Sequence, residues 1–143
     1  MKVIHHVLDV DARPEKVWQA VTGADGLAGW WSTRLEADPP AVGGTVRFTF
    51  AGDFNPVMQI VEIDPPRRLR WRCVEGHANW KDNTFTFEMV PLDDNRCRLR
   101  FTQDYAVELS DDDYGVYNFN WGYYLESLRL LCVTGVGKPF SPA

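Results

Sequence analysis

Residues 3–10, Val-Ile-His-His-Val-Leu-Asp-Val, are rich in β-branched side chains and predict a strand. Pro14 then sits where a first helical turn tolerates it. Val17, Trp18 and Val21 share one helical face, which predicts a short helix over 14–22. Gly23, Gly26 and Gly29 break up the next stretch, so the run to Trp30 and Trp31 holds at most a one- or two-turn helix. After Pro39-Pro40 and Gly43-Gly44 the period changes to two. Val46, Phe48 and Phe50 alternate with Thr45, Arg47 and Thr49, and a further strand is expected over 57–63. The turn Asp64-Pro65-Pro66-Arg67 leads into Leu69, Trp71 and Cys73, which alternate with Arg68, Arg70 and Arg72. The same alternation returns at Phe85, Phe87 and Met89, and again at Cys97, Leu99 and Phe101. Short linkers between these strands predict an antiparallel meander with one apolar and one polar face.

The last third returns to a helical period. Trp121, Leu125, Leu128 and Cys132 lie at i, i+4, i+7 and i+11, with Tyr117, Tyr124 and Leu131 beside them. Ser110 followed by Asp113 has the form of a capping box, which starts the helix near 111. Gly135, Gly137 and Pro139 end it. The order is therefore β-α-α, a β meander, then one long helix able to cover the apolar face of a curved sheet.

Composition narrows the class without naming a function. The chain has 143 residues, 45% hydrophobic and 24% charged, which excludes disordered and fibrous proteins and fits one domain, 1–143. No apolar run approaches the ~20 residues of a membrane helix, and the first residues show no signal-peptide core, so a cytoplasmic protein is expected. Cys73, Cys97 and Cys132 are isolated, with no Cys-x-x-Cys pair to suggest a metal or redox site. A net charge of −5 argues against nucleic acid as a partner.

Catalytic constellations are absent from the sequence. His5 and His6 are neighbours on a strand and point to opposite faces, so they do not share a site. His77 falls in the polar loop 74–83, a solvated hairpin or a source of binding groups. No Gly-x-Ser-x-Gly elbow or phosphate-binding glycine motif occurs, and Asp111-Asp112-Asp113 reads as a helix-start charge cluster rather than a metal site. No catalytic residue, metal or cofactor is nominated.

Two surfaces remain informative. Seven of the eleven arginines (Arg67, Arg68, Arg70, Arg72, Arg96, Arg98, Arg100) fall on two meander strands or their turn. All but Arg67 should share the polar face, either as a solvated surface paired with Glu62 and Glu88 or as a platform for an acidic protein through Arg68, Arg70, Arg98 and Arg100. The other surface is aromatic, drawing on 6 Trp, 5 Tyr and 8 Phe. Trp30, Phe48, Trp71, Phe85, Phe87, Phe101, Trp121 and Tyr124 converge on the apolar face. Tyr117, Gln59, Asn118 and one N-terminal histidine are the polar candidates there. Such a set either fills a core or lines a pocket for a small apolar or aromatic molecule.

Five segments then resemble a known family: Ala12-Arg-Pro-Glu-Lys-Val-Trp18, Gly29-Trp-Trp31, Asp64-Pro-Pro-Arg-Arg-Leu-Arg-Trp71, Trp121-Gly-Tyr-Tyr-Leu-Glu-Ser-Leu128 and Thr134-Gly-Val-Gly-Lys-Pro-Phe140. Together they resemble the START-like (SRPBCC), helix-grip superfamily, and within it the homologs of the activator of the heat-shock-protein-90 ATPase. The resemblance implies an α+β helix-grip fold: a curved antiparallel sheet wrapped around a long C-terminal helix, with two short N-terminal helices and a hydrophobic cavity. Relatives include lipid, hormone and polyketide binders, some enzymes and a co-chaperone domain, with no shared catalytic motif to carry over. The expectation is a small-molecule binding protein. The alternatives are a cyclase-, aromatase- or hydrolase-type enzyme using the same cavity, and a co-chaperone-like module acting through the arginine face. A second copy of the chain is a further candidate partner.

Overall fold

Seven strands form one antiparallel sheet in the computed structural model, which describes residues 2–142. They are β1 (Val3–Val10), β2 (Leu35–Ala37), β3 (Thr45–Phe48), β4 (Val57–Asp64), β5 (Arg68–Glu75), β6 (Thr84–Asp93) and β7 (Arg96–Asp104). Their order is β1-β7-β6-β5-β4-β3-β2, so only β1 sits beside a strand distant in sequence. The helices are α1 (Pro14–Thr22), α2 (Ala24–Trp30) and α3 (Asp111–Thr134).

Register gathers the aromatics. His6 pairs with Phe101, Phe101 with Phe87 and Phe87 with Leu69, one row across four strands. The adjacent row runs through Gln103, Phe85 and Trp71 to Ile60. Because side chains alternate along a strand, both rows face the same side, and α3 lies across it. Trp121, Leu125, Leu128 and Cys132 of α3 are each no more than 2% exposed. Register shifts within β4–β5 and at Pro91/Asp93 of β6–β7 interrupt the ladders, as bulges that bend a strand do. Pro91 lies past the reach of β5, where its missing N–H leaves no ladder bond unmade.

The helix ends follow their chemistry. The Ser110 hydroxyl accepts from the Asp113 N–H at 3.1 Å, and the three aspartates of the first turn meet the positive end of the dipole. Gly135 closes α3 in the left-handed region at φ 86°. Beyond it the chain turns back along α2. The Ser127 hydroxyl donates to the Trp30 carbonyl at 2.9 Å and accepts from the Lys138 N–H at 2.6 Å. A Cβ on Gly137 would lie 2.3 Å from the Gly29 carbonyl oxygen, so this crossing requires glycine.

The polar sheet face is neutralised locally. Arg68 bridges Glu62 at 2.7 Å and Glu88 at 3.3 Å, Arg98 meets Asp9 at 2.8 Å, and Arg72 meets Asp82 at 2.8 Å. Arg70 donates to the Thr86 hydroxyl at 3.1 Å. Among the described residues Arg100 alone of this face has no ion pair or side-chain hydrogen bond. Two details depart from the periodicity. Strand β3 stops at Phe48 rather than Phe50, and β2 (Leu35–Ala37) carries no apolar alternation that would have announced it.

Candidate functional site

Phe50 leaves the sheet because a local turn captures its backbone. Its N–H donates to Asn55 Oδ1 at 2.9 Å, Asn55 Nδ2 donates to the Gly52 carbonyl at 3.1 Å, and Gly52 takes φ 62°. The turn carries Phe50 and Phe54 over the edge of the sheet toward Trp31. A second loop, between β5 and β6, delivers Trp80. It is closed by Trp80 and Lys81 N–H groups donating to the His77 carbonyl, and anchored by buried Asn83. The Asn83 amide donates to the Asn79 carbonyl at 2.9 Å and accepts from the Ala106 N–H at 2.8 Å. The C-terminal strap supplies Phe140, whose N–H donates to the Trp31 carbonyl while its own carbonyl accepts from Thr33.

These three segments and α3 border a half-open pocket of about 240 Å³ at the rim of the sheet. Its floor is tryptophan. The rings of Trp31 and Trp121 lie 5.2 Å apart at 27°, those of Trp31 and Trp80 6.2 Å apart at 20°, and those of Trp80 and Trp121 6.1 Å apart at 8°. Phe54 stands edge-on to Trp80 at 4.7 Å and Phe50 edge-on to Trp31 at 5.1 Å, the favoured geometry for such rings. Three polar groups border the pocket. The Tyr117 hydroxyl accepts from Asn79 Nδ2 at 3.2 Å and keeps its own proton to donate. The Asn120 amide and Tyr124 hydroxyl have no hydrogen-bond partner among the described residues. Burial, then the neighbouring Tyr123, pushes the Tyr124 phenol above its ordinary range, so it remains a neutral donor.

Behind the floor is a small polar knot. Trp121 Nε1 donates to Gln103 Oε1 at 2.7 Å. The Tyr105 hydroxyl lies close to Trp80 Nε1 and Gln103 Nε2, yet none of the three atoms has a well-directed partner. Burial drives the Tyr105 phenol strongly upward.

Of the aromatic and polar residues the sequence brings together, Tyr117, Trp121 and Tyr124 line this pocket. Trp30, Phe48, Trp71, Phe85, Phe87 and Phe101 lie deeper and pack against one another in the core; Trp30 Nε1, for example, donates to the Ala20 carbonyl at 2.8 Å. Gln59 sits on the opposite sheet face from Met58 and Ile60, near the Gly43 carbonyl. Asn118 lies one helical step away from the pocket and meets His6 Nε2 at 3.0 Å, His6 being the N-terminal histidine that faces α3. His5 instead meets the Thr102 hydroxyl at 2.9 Å on the other face.

Trp31 and Phe50, which the sequence also turns to the apolar face, line the pocket too, and it adds Phe54, Trp80, Asn120 and Phe140. A tryptophan in an otherwise polar loop and a phenylalanine between Gly52 and Pro56 are the signals that mark Trp80 and Phe54. Phe140 ends one of the family-like segments. Asn120 has no signal beyond its helical spacing from Tyr117 and Tyr124. No histidine or carboxylate among the described residues lines the pocket. No group of three or more His, Cys, Asp or Glu is placed to hold a metal ion among them. Cys73, Cys97 and Cys132 are buried away from it, each pushed up to about 11 mainly by burial. A larger depression of about 500 Å³ between α1, α2 and α3 has a lining without aromatic side chains, including Lys16, Gln19 and Asp25.

Solved structures share the whole architecture. The solution structure of the Aha1 dimer from Colwellia psychrerythraea is 28% identical, covers 96% of this chain and 100% of that chain, and has a TM-score of 0.85. A protein of Mesorhizobium loti, 20% identical, covers 91% of this chain and 96% of its own at a TM-score of 0.75. Norcoclaurine synthase from Thalictrum flavum, solved with dopamine and hydroxybenzaldehyde, is 17% identical, with 96% and 89% covered and a TM-score of 0.66. No curated protein matches the sequence. No helix among the described residues is long and apolar enough to cross a membrane. The family model for activator of Hsp90 ATPase homolog 1-like proteins matches residues 11–132, and the chain belongs to that family.

Proposed function

We propose that this chain is a binding protein for a small, flat aromatic molecule that sits in the rim pocket against the tryptophan floor, with Phe54 beside it. The observation that carries the reading is the composition of the rim pocket: ring faces and edges on its walls, unpartnered Asn120 and Tyr124 beside them, and no acid–base pair. A cavity of roughly 150 Å³ accepts benzene, so about 240 Å³ suits one or two fused rings. The polar groups then select hydroxyl, carbonyl or amino substituents. The plant synthase was solved with two one-ring phenols, a likeness of fold alone that transfers no residue.

Calorimetric titration with indole, 1-naphthol and 4-hydroxybenzaldehyde tests the proposal. Saturable one-to-one binding is expected for at least one of them, weakened about tenfold by Phe54→Ala, which removes part of a buried ring. Absence of binding by all three, with the fold intact, removes the reading. An enzyme in the same pocket would need a general acid or base, and among the described residues the two phenols are the only titratable groups lining it.

The co-chaperone-like reading has the unpaired Arg100 in its favour, on a face whose other arginines are already engaged. Capture of an acidic chaperone at low salt that fails for Arg100→Glu would support it. The other partner proposed is a second copy of the chain, since the relative matched over its full length is described as a dimer.

A further inference from the structure

The side of α3 turned away from the sheet has its own apolar series. Val116, Phe119, Tyr123, Leu130 and Val133 recur at steps of three and four residues, with Glu126 completing the sequence of steps. Phe119 is 76% exposed, Val116 57% and Tyr123 49%. A surface helix ordinarily has one apolar stripe. Here the opposite face is already buried through Trp121, Leu125, Leu128 and Cys132, so α3 is apolar on both sides. A three–four repeat over five turns is the pattern of a helix that packs lengthwise on another helix.

We propose that this outer face of α3 seats α3 of a second copy, antiparallel, about a two-fold axis. The proposal rests on the self-association reading and names its surface. The argument is self-complementarity. With a closed two-fold arrangement, the antiparallel register that best matches apolar positions sets Val116 against the partner's Val133 and Phe119 against the partner's Leu130. Tyr123 then meets the partner's Glu126, whose carboxylate already accepts from Arg129 at 2.8 Å and has lone pairs left for a phenol donor. A parallel arrangement would instead bring the two Asp111–Asp113 ends together, like charge against like charge. The antiparallel arrangement separates those acidic ends. The seam from Val116 to Val133 is roughly 27 Å long at a rise of about 1.5 Å per residue.

Sedimentation equilibrium from micromolar to millimolar protein, with the unmodified chain and Phe119→Glu, is the first test. The expected result is a concentration-dependent shift of the unmodified chain to twice 16.4 kDa, and a single-chain mass for Phe119→Glu with an unchanged thermal transition. The second test oxidises Phe119→Cys alone and Phe119→Cys combined with Leu130→Cys; the native thiols are buried and do not compete. Covalent dimer should form with the double variant and not with the single one. A monomeric unmodified chain throughout overturns both self-association and this face. A dimer indifferent to Phe119→Glu overturns the face while leaving self-association standing. Cross-linking of Phe119→Cys alone overturns the antiparallel arrangement.

Discussion

Two populations of aromatic side chains meet at Trp31, and they differ in what their neighbours leave free. Inward from it, Trp71, Phe87 and Phe101 are enclosed on every side, with Phe87 edge-on to Trp71 at 5.0 Å. Outward, Phe50, Phe54 and Phe140 are half-buried, held by a turn and a strap rather than by the sheet. Identical chemistry therefore serves cohesion in one place and leaves unfilled contact area in the other. What separates them is the backbone: regular pairing closes ranks, whereas irregular segments cannot interdigitate as fully.

Substitutions should separate the two populations, and the largest effect belongs to the inner one. Phe87→Ala is expected to cost about 3–5 kcal/mol in urea unfolding, whereas Phe54→Ala should cost less than half of that and act mainly on affinity. Equal destabilisation would erase the distinction. Next comes the strap that carries Phe140. Ser127→Ala removes the hydroxyl shared by the Trp30 carbonyl and the Lys138 N–H, costing about 1–3 kcal/mol, and Gly137→Ala forces a clash with the Gly29 carbonyl. Both should loosen Phe140, seen as altered chemical shifts at Trp31 and Phe50.

Smaller still, Tyr124→Phe and Asn120→Ala should leave the melting temperature nearly unchanged. They should reduce affinity only for aromatic ligands bearing hydrogen-bonding substituents. A matching loss for an unsubstituted ring would show that these side chains act through shape.

The buried thiols give a pH test. Their folded values stand near 11, above the ordinary thiol value. Below about pH 8.5 both folded and unfolded chains keep the protons, and stability is lost as pH rises from there toward 11. The melting temperature should fall across that window, and a disulfide reagent should find thiols only in denaturant. The smallest effect is at the acid end. The Arg98 guanidinium holds Asp9 below the usual carboxylate range, so its contribution is present above about pH 4 and is lost as pH falls further. Asp9→Asn should flatten that acid limb slightly.

The fold was legible because its information is periodic. Alternation at Leu69, Trp71 and Cys73 marks a strand whether or not its partner is known, and Trp121, Leu125, Leu128 and Cys132 declare a buried helix face. The arginine face was likewise readable down to the Glu62 and Glu88 pairs. The pocket was less so. Alternation places Phe50 with Phe48, and both rings do meet Trp31, but the turn in which Asn55 captures the Phe50 N–H and brings in Phe54 has no period. Trp80 and Phe140 depend on loop hydrogen bonds to Asn83 and Trp31, which have no period. Periodicity also hid the second face of α3, because apolar residues on both sides blur into one hydrophobic helix.

The near-parallel indoles have an optical consequence. Trp31 has Trp30, Trp71, Trp80 and Trp121 as neighbours at 5.9, 6.0, 6.2 and 5.2 Å, every pair within 27° of parallel. Indoles that close couple their excited states, so excitation absorbed by any of these five tryptophans passes among them before it is emitted. The near-ultraviolet circular dichroism should show a coupled band rather than a sum of separate indoles. A guest resting on Trp80 in the pocket floor would then be registered by Trp30 in the interior, giving the protein a built-in reporter of its own occupancy.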